Sequence, residues 1–164
     1  MSVREPCILY VCLGNVCRSP MAESVTRRML MEGFPGRAIR VESRGTAGFN
    51  SGKPADPRAM AALSAHGYVL EGHVARQISD EDFLEFDHII AMDRSNLHTL
   101  SGWSPACFAG SLRLLPGDSG TGSQEVPDPF YGDPGQFERV LGLLERGIRD
   151  LLNEITGAPM ESHA

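Results

Sequence analysis

The segment from Cys7 to Pro20 does most to limit what this chain can fold into. It opens with C-I-L-Y-V, an apolar run rich in strand formers, which ends at Gly14-Asn15. That is the pattern of a buried strand followed by a turn. Ser19-Pro20 then starts a helix, since Ser is a good N-cap and Pro suits the first helical position. Met21, Val25, Met29 and Leu30 give that helix an apolar stripe, and Gly33 stops it. The same alternation continues. Ile39–Ser43 reads as a strand, Gly45–Pro57 as a loop and Pro57–His66 as a helix. A short helix runs from Ser79-Asp80 to Phe86, a strand covers His88–Met92, and Asp93 caps the helix after it. Leu112–Leu115 is a fourth strand, Gly117–Pro134 a long loop, and Gln136–Ile155 the clearest amphipathic helix, with Phe137, Val140, Leu141, Leu144, Ile148, Leu151, Leu152 and Ile155 on one face. The expected fold is therefore α/β: a single domain over residues 1–157 with a four-stranded parallel twisted sheet and helices on both faces. Residues 158–164 read as a frayed tail. In such sheets the crevice lies at the carboxyl ends of the strands. The turn after Val11, the loop after Ser43 and the loop after Leu115 all fall there.

A chain of 164 residues is sized for one core. The net charge of −6 makes nucleic acid an unexpected partner, because binding would release no counterions. An anionic substrate remains compatible, since a local site can be positive inside a negative protein. No run of 18 apolar residues offers a membrane span, and the N-terminus lacks a signal-peptide pattern, so the expected location is the cytoplasm. The four cysteines, Cys7, Cys12, Cys17 and Cys107, form no C-x2-C pair and have no His-x3-5-His nearby. Neither a disulfide scaffold nor a zinc site is expected, and no other metal or cofactor.

The stretch Cys12–Ser19 reads C-L-G-N-V-C-R-S. The N–H groups of a turn at this place point inward and make an anion nest, and the helix dipole adds partial positive charge. Arg18 supplies a planar fork that matches two oxygens of a tetrahedral oxyanion. Cys12 would lie at the base of this cradle, where donors and a cation favour the thiolate, a nucleophile aimed at phosphorus. Taken singly, Cys12 would pass as a buried core cysteine. The whole constellation is far harder to reach by accident.

These residues, as C-L-G-N-V-C-R-S-P-M-A-E, resemble the low-molecular-weight protein tyrosine phosphatases. The resemblance extends to P-A-D-P-R-A at Pro54–Ala59, H-V-A-R-Q-I at His73–Ile78, M-D-R-S-N-L at Met92–Leu97 and D-P-F-Y-G at Asp128–Gly132. It implies hydrolysis of phosphotyrosine in a protein substrate through a cysteinyl-phosphate, with Cys12 as nucleophile, Arg18 as phosphate clamp and Asp128 as general acid. The loop residues Leu13, Gly14, Asn15, Val16 and Cys17 would surround the phosphate. Leu13, Phe49, Phe130 and Tyr131 would wall a slot for the phosphorylated ring. The resemblance further implies that Asn15 holds the loop in a strained shape through Ser43 and His73, with Ser19 donating to the Cys12 thiolate. Asp93, besides capping its helix, would face the site. His66, at a helix end beside Gly67, reads as a packing residue. Cys17, five residues after Cys12 in a curled loop, is placed either to close a disulfide onto oxidised Cys12 or simply to pack under the loop.

Two neighbouring activities share this loop. Thioredoxin-coupled arsenate reductases need two further cysteines about seven residues apart, and this chain has only Cys107 beyond the first loop. Phosphoarginine phosphatases carry Thr just before the second Cys, where this chain has Val16. A branched apolar group suits a flat phenol better than a guanidinium. A non-catalytic phosphate-binding module would be expected to have lost Cys12, Arg18 or Asp128.

Overall fold

The structure, a computed structural model, describes residues 4–117 and 122–157. The expected tail, 158–164, and part of the long loop, 118–121, lie outside the described residues.

The chain alternates as read. In order it forms β1 (Cys7–Cys12), α1 (Arg18–Gly33), β2 (Arg40–Gly45), α2 (Pro57–Ala65), α3 (Asp82–Glu85), β3 (His88–Ala91), α4 (Arg94–Trp103), β4 (Ser111–Pro116), β5 (Ser123–Gln124) and α5 (Pro134–Thr156). The sheet order is β2-β1-β3-β4-β5. The first four strands are parallel, in the register Cys7 opposite Arg40, Ile8 opposite His88 and His88 opposite Ser111. The fifth strand corrects the expected count of four. It is two residues long and antiparallel to β4, with Leu115 opposite Gln124. A strand that short carries no periodicity and is made by the fold-back of its loop.

β1 is an interior strand between β2 and β3, and it reads as an unbroken apolar run because both of its faces are buried. Ile8, Tyr10 and Cys12 point into a core shared with α1, α2 and α5. Leu9 and Val11 point into a second core with Phe83, Phe86, Ile89 and Leu100 on the α3–α4 side. The α5 face forms as expected, with Phe137, Val140, Leu141, Leu144, Ile148, Leu151 and Leu152 buried.

α1 departs from expectation. It begins at Arg18 behind Cys17, without a side-chain cap, so Ser19 and Pro20 lie inside its first turn. The Ser19 hydroxyl is drawn into the preceding loop instead. The N–H groups of Arg18 and Ser19 consequently have no intrahelical acceptor. Asp93 does cap α4, accepting from the Asn96 N–H at 2.7 Å. Because β2 and β3 flank β1 on opposite sides, the chain reverses direction there. The crevice opens at that switch point, above the carboxyl ends of β1 and β3.

Candidate active site

The β1–α1 loop is built around one strained residue. Asn15 is the only non-glycine with positive φ among the described residues, at 57°. Asn tolerates this region better than most residues. Its side chain donates to Ser19 Oγ at 2.9 Å and to Ser43 Oγ at 3.0 Å, and accepts from the Arg76 N–H at 2.9 Å. His73 Nε2 lies 2.8 Å from the Asn15 carbonyl oxygen. Ser43 and His73 thus stand behind the loop. Gly45 closes the arrangement from β2. A Cβ there would lie 2.8 Å from the Leu13 carbonyl and 3.2 Å from Asn15 Cβ, so the loop can seat only against a glycine.

This loop curls over Cys12, which is buried at the end of β1. The Asn15 N–H donates to Cys12 Sγ at 3.3 Å, and Ser19 Oγ lies 3.0 Å from the same sulfur. Ser19 Oγ also reaches the Arg44 carbonyl at 3.2 Å. With Asn15 donating to its oxygen, the hydroxyl has one proton and two acceptors for it.

Arg18 is buried, and its guanidinium is held by three oxygens. Nη1 contacts Asp93 Oδ2 at 2.6 Å and the Val126 carbonyl at 3.0 Å, and Nη2 lies 3.5 Å from Asp128 Oδ2. Burial works against its charge. Cys12, the hydrogen bond to Asp93 and the Asp128 carboxylate outweigh it and raise the guanidinium's pKa further. Asp93 therefore does two things, capping α4 with one oxygen and aligning Arg18 with the other. Asp128, 42% exposed at its side chain, sits at the rim and accepts from the Phe130 N–H at 3.1 Å.

A small cleft of about 120 Å³ opens over Cys12. Gly14, Val16, Cys17 and Arg18 form its floor and sides with Cys12, and Leu13, Phe49, Phe130 and Tyr131 stand around its mouth. Phe130 and Tyr131 meet edge to face, with ring centres 5.0 Å apart. Tyr131 is 95% exposed and Phe49 66% exposed. Such exposure is costly for large rings unless something packs on them.

Cys17 is buried beside the loop, and burial pushes its thiol up to about 12, helped by the charges of Asp56, Cys12 and Asp128. Asp56 caps α2 and is bound by Arg58, and its N–H donates to the Val16 carbonyl at 2.8 Å. Sequence reasoning assigns no role to Asn50, Asp56 or Arg58. Asn50 lines the cleft and donates to the Gly14 carbonyl at 3.2 Å. The only sequence signal for the other two is the motif P-A-D-P-R-A itself. His66 stands apart from the cleft, where it caps α2 and contacts Glu138 on α5 at 2.6 Å. Cys7 lies at the start of β1 and Cys107 is exposed, and neither lines the cleft.

A loop of this geometry between a central strand and a helix can now be set beside known proteins. The family model of low molecular weight phosphotyrosine protein phosphatases matches residues 7–159. The chain belongs to that family. It is 39% identical over 150 residues to a low molecular weight protein-tyrosine-phosphatase of Streptomyces coelicolor, covering 88% of this chain and 90% of that one. It is also 39% identical to the human low molecular weight phosphotyrosine protein phosphatase, covering 90% of this chain and 94% of that one. Among solved structures, a protein tyrosine phosphatase from Entamoeba histolytica superposes with a TM-score of 0.85 at 30% identity, over 93% of this chain and 98% of that one. A low molecular weight phosphotyrosine phosphatase from Vibrio cholerae gives 0.83 at 35%, over 92% and 97%. The family's α/β fold is thus the fold of this chain. No helix of the described residues is long and apolar enough to cross a membrane.

Proposed function

We propose that this protein hydrolyses phosphotyrosine in proteins, and aryl phosphates generally, in two steps through Cys12. The observation that carries this reading is the convergence on one sulfur. Cys12 Sγ lies at the bottom of a narrow cleft, within reach of two hydrogen-bond donors, beside a buried Arg18 and below a rim of aromatic rings. The phosphoryl group enters with its oxygens facing Arg18 and the free N–H groups of the first turn of α1. The Cys12 thiolate attacks phosphorus and the bond to the tyrosine oxygen breaks. Asp128, at the rim, gives its proton to that departing oxygen. A water molecule then attacks phosphorus, and the Asp128 carboxylate takes the water's proton. The P–S bond breaks to return the thiolate and inorganic phosphate. The Ser19 hydroxyl turns its proton from the Arg44 carbonyl toward the sulfur as the thiolate is released, which lowers the barrier to leaving.

Phenolic substrates are favoured by the cleft's walls. Phe49, Phe130 and Tyr131, which line the same cleft as Cys12, offer ring faces and edges to a flat aromatic group, and aromatic pairs contribute about 0.5–1.5 kcal/mol each. Val16, which lines the cleft, offers no hydroxyl to orient a guanidinium. The need for a free thiol at Cys12 suits a reducing cytoplasm. One preparation assayed on phosphotyrosine, phosphoserine and phosphoarginine peptides tests the reading. Phosphotyrosine is expected to lead by at least tenfold in kcat/KM, and a preference for phosphoarginine refutes it.

A further inference from the structure

Asp128 can act only if its loop is held over the cleft, and the loop's own hydrogen bonds close on themselves. The Phe130 N–H goes to Asp128 Oδ1 at 3.1 Å, and the Gly132 N–H to the Pro129 carbonyl at 2.9 Å. These bonds fix the loop's shape, not its place. A side chain from another element reaches it. Arg58, in the first turn of α2, lies with its guanidinium carbon 5.4 Å from the centre of the Phe130 ring and 4.8 Å from that of Phe137 on α5. Its Nη1 points to the Gly132 carbonyl at 3.5 Å. The other edge of the guanidinium is bound by Asp56, with Nε to Oδ1 at 3.1 Å and Nη2 to Oδ2 at 2.9 Å. Asp56 is itself tied to the phosphate loop through its N–H bond to Val16.

We infer that Arg58 is a positioning residue for the general acid: it connects the Asp128 loop to the Cys12 loop through Phe130 on one side and Asp56 on the other. The inference rests on the phosphoryl-transfer reading above and deepens it. A planar cation sandwiched between a loop ring and a buried ring fixes a separation, which a flexible ammonium cannot do. Phe130 and Asp128 are two residues apart in one turn, so setting the ring sets the carboxyl. Arg58 does not itself line the cleft, and meets it only through the back of Phe130. Its effect should therefore fall on leaving-group protonation and leave attack at phosphorus intact.

The test measures kcat/KM, which reports only the steps through departure of the leaving group, for Arg58→Ala, Arg58→Lys and Asp128→Asn, and for Arg58→Ala combined with Asp128→Asn, across aryl phosphates of graded leaving-group ability. Phenyl phosphate needs the proton and 2,4-dinitrophenyl phosphate does not. Arg58→Ala is expected to lose about 10- to 100-fold on phenyl phosphate, the cost of a misplacement near 1 Å. On the dinitrophenyl ester it should lose less than threefold, which also shows that the variant is folded with Cys12 and Arg18 in place. Arg58→Lys should resemble Ala, because its charge cannot replace the stacked plane. In the Asp128→Asn background, Arg58→Ala should have no further effect on phenyl phosphate. Equal losses on both esters, or full additivity with Asp128→Asn, would overturn the positioning role while leaving the acid assignment standing. A flat leaving-group response of Asp128→Asn alone overturns the acid assignment, and the inference with it.

Discussion

Replacing Asn15 tests whether the strained loop is built for function. Asn15→Ala removes a side chain that makes three hydrogen bonds at 2.9–3.0 Å in a buried setting. At about 1 kcal/mol each these are worth about 3 kcal/mol. Alanine also tolerates the φ of 57° less well than Asn, which adds about 1 kcal/mol. If the loop keeps its shape, the variant loses about 4 kcal/mol, which for a chain of this size lowers Tm by about 8–16 °C. If the loop relaxes to negative φ, stability recovers but the Asn15 N–H swings away from Cys12 Sγ, and kcat/KM falls by about 100-fold. Both outcomes are measurable, and they trade off against each other. Asn15→Gly separates the terms. It loses the same hydrogen bonds but adopts positive φ freely, so it should melt about 2–4 °C above the Ala variant. The assays are thermal unfolding and turnover of 4-nitrophenyl phosphate, with inhibition by inorganic phosphate reporting the cradle directly. An Ala variant within 2 °C of wild type in Tm and within twofold in kcat/KM would refute the reasoning.

Other outcomes follow from the same geometry. Cys12→Ser should abolish turnover while retaining the fold and phosphate binding, and turnover within tenfold of wild type would remove Cys12 as nucleophile. Asp128→Asn should cost about 10²–10⁴ in kcat on poor leaving groups. Because the Cys17 thiol is pushed up to about 12, its alkylation should be slow at pH 7 and still rising without a plateau at pH 10, read by mass spectrometry after labelling at each pH. After peroxide and then a thiol reductant, wild type should regain activity that Cys17→Ala does not, and equal recovery would leave Cys17 with packing alone. Burial, with Arg113 nearby, holds His88 below its usual value despite Asp87. The unfolded chain therefore binds the proton first, so stability should fall as pH drops below about 6.5, the unfolded value. Urea unfolding of His88→Gln between pH 5 and 7 should show a shallower slope than wild type.

The sequence alone determined the alternation, the central buried strand, the long amphipathic α5 and the phosphate loop. Each of these depends on residues close in the chain: an unbroken apolar run, a 3.6-residue stripe, or a Cys, Asn and Arg within seven positions. Even the positive φ of Asn15 follows from a local preference. Its partners do not, because Ser43 and Arg76 come from 28 and 61 residues away and meet it only once β2 and the following loop have packed. Ser19 illustrates the limit: its type suggested an N-cap, but the loop behind it offered a better partner and the helix began two residues earlier. β5 was invisible because two residues have no period and pair only where a loop folds back on β4. Asp93 looked like a cap and is one, but its second oxygen meets Arg18 because β1 and β3 are neighbours in the sheet. Arg58 stands in the motif P-A-D-P-R-A, but nothing in the sequence signals where its guanidinium goes. A cation sandwiched between two rings requires α2, α5 and the Asp128 loop to converge, and that convergence belongs to the tertiary packing.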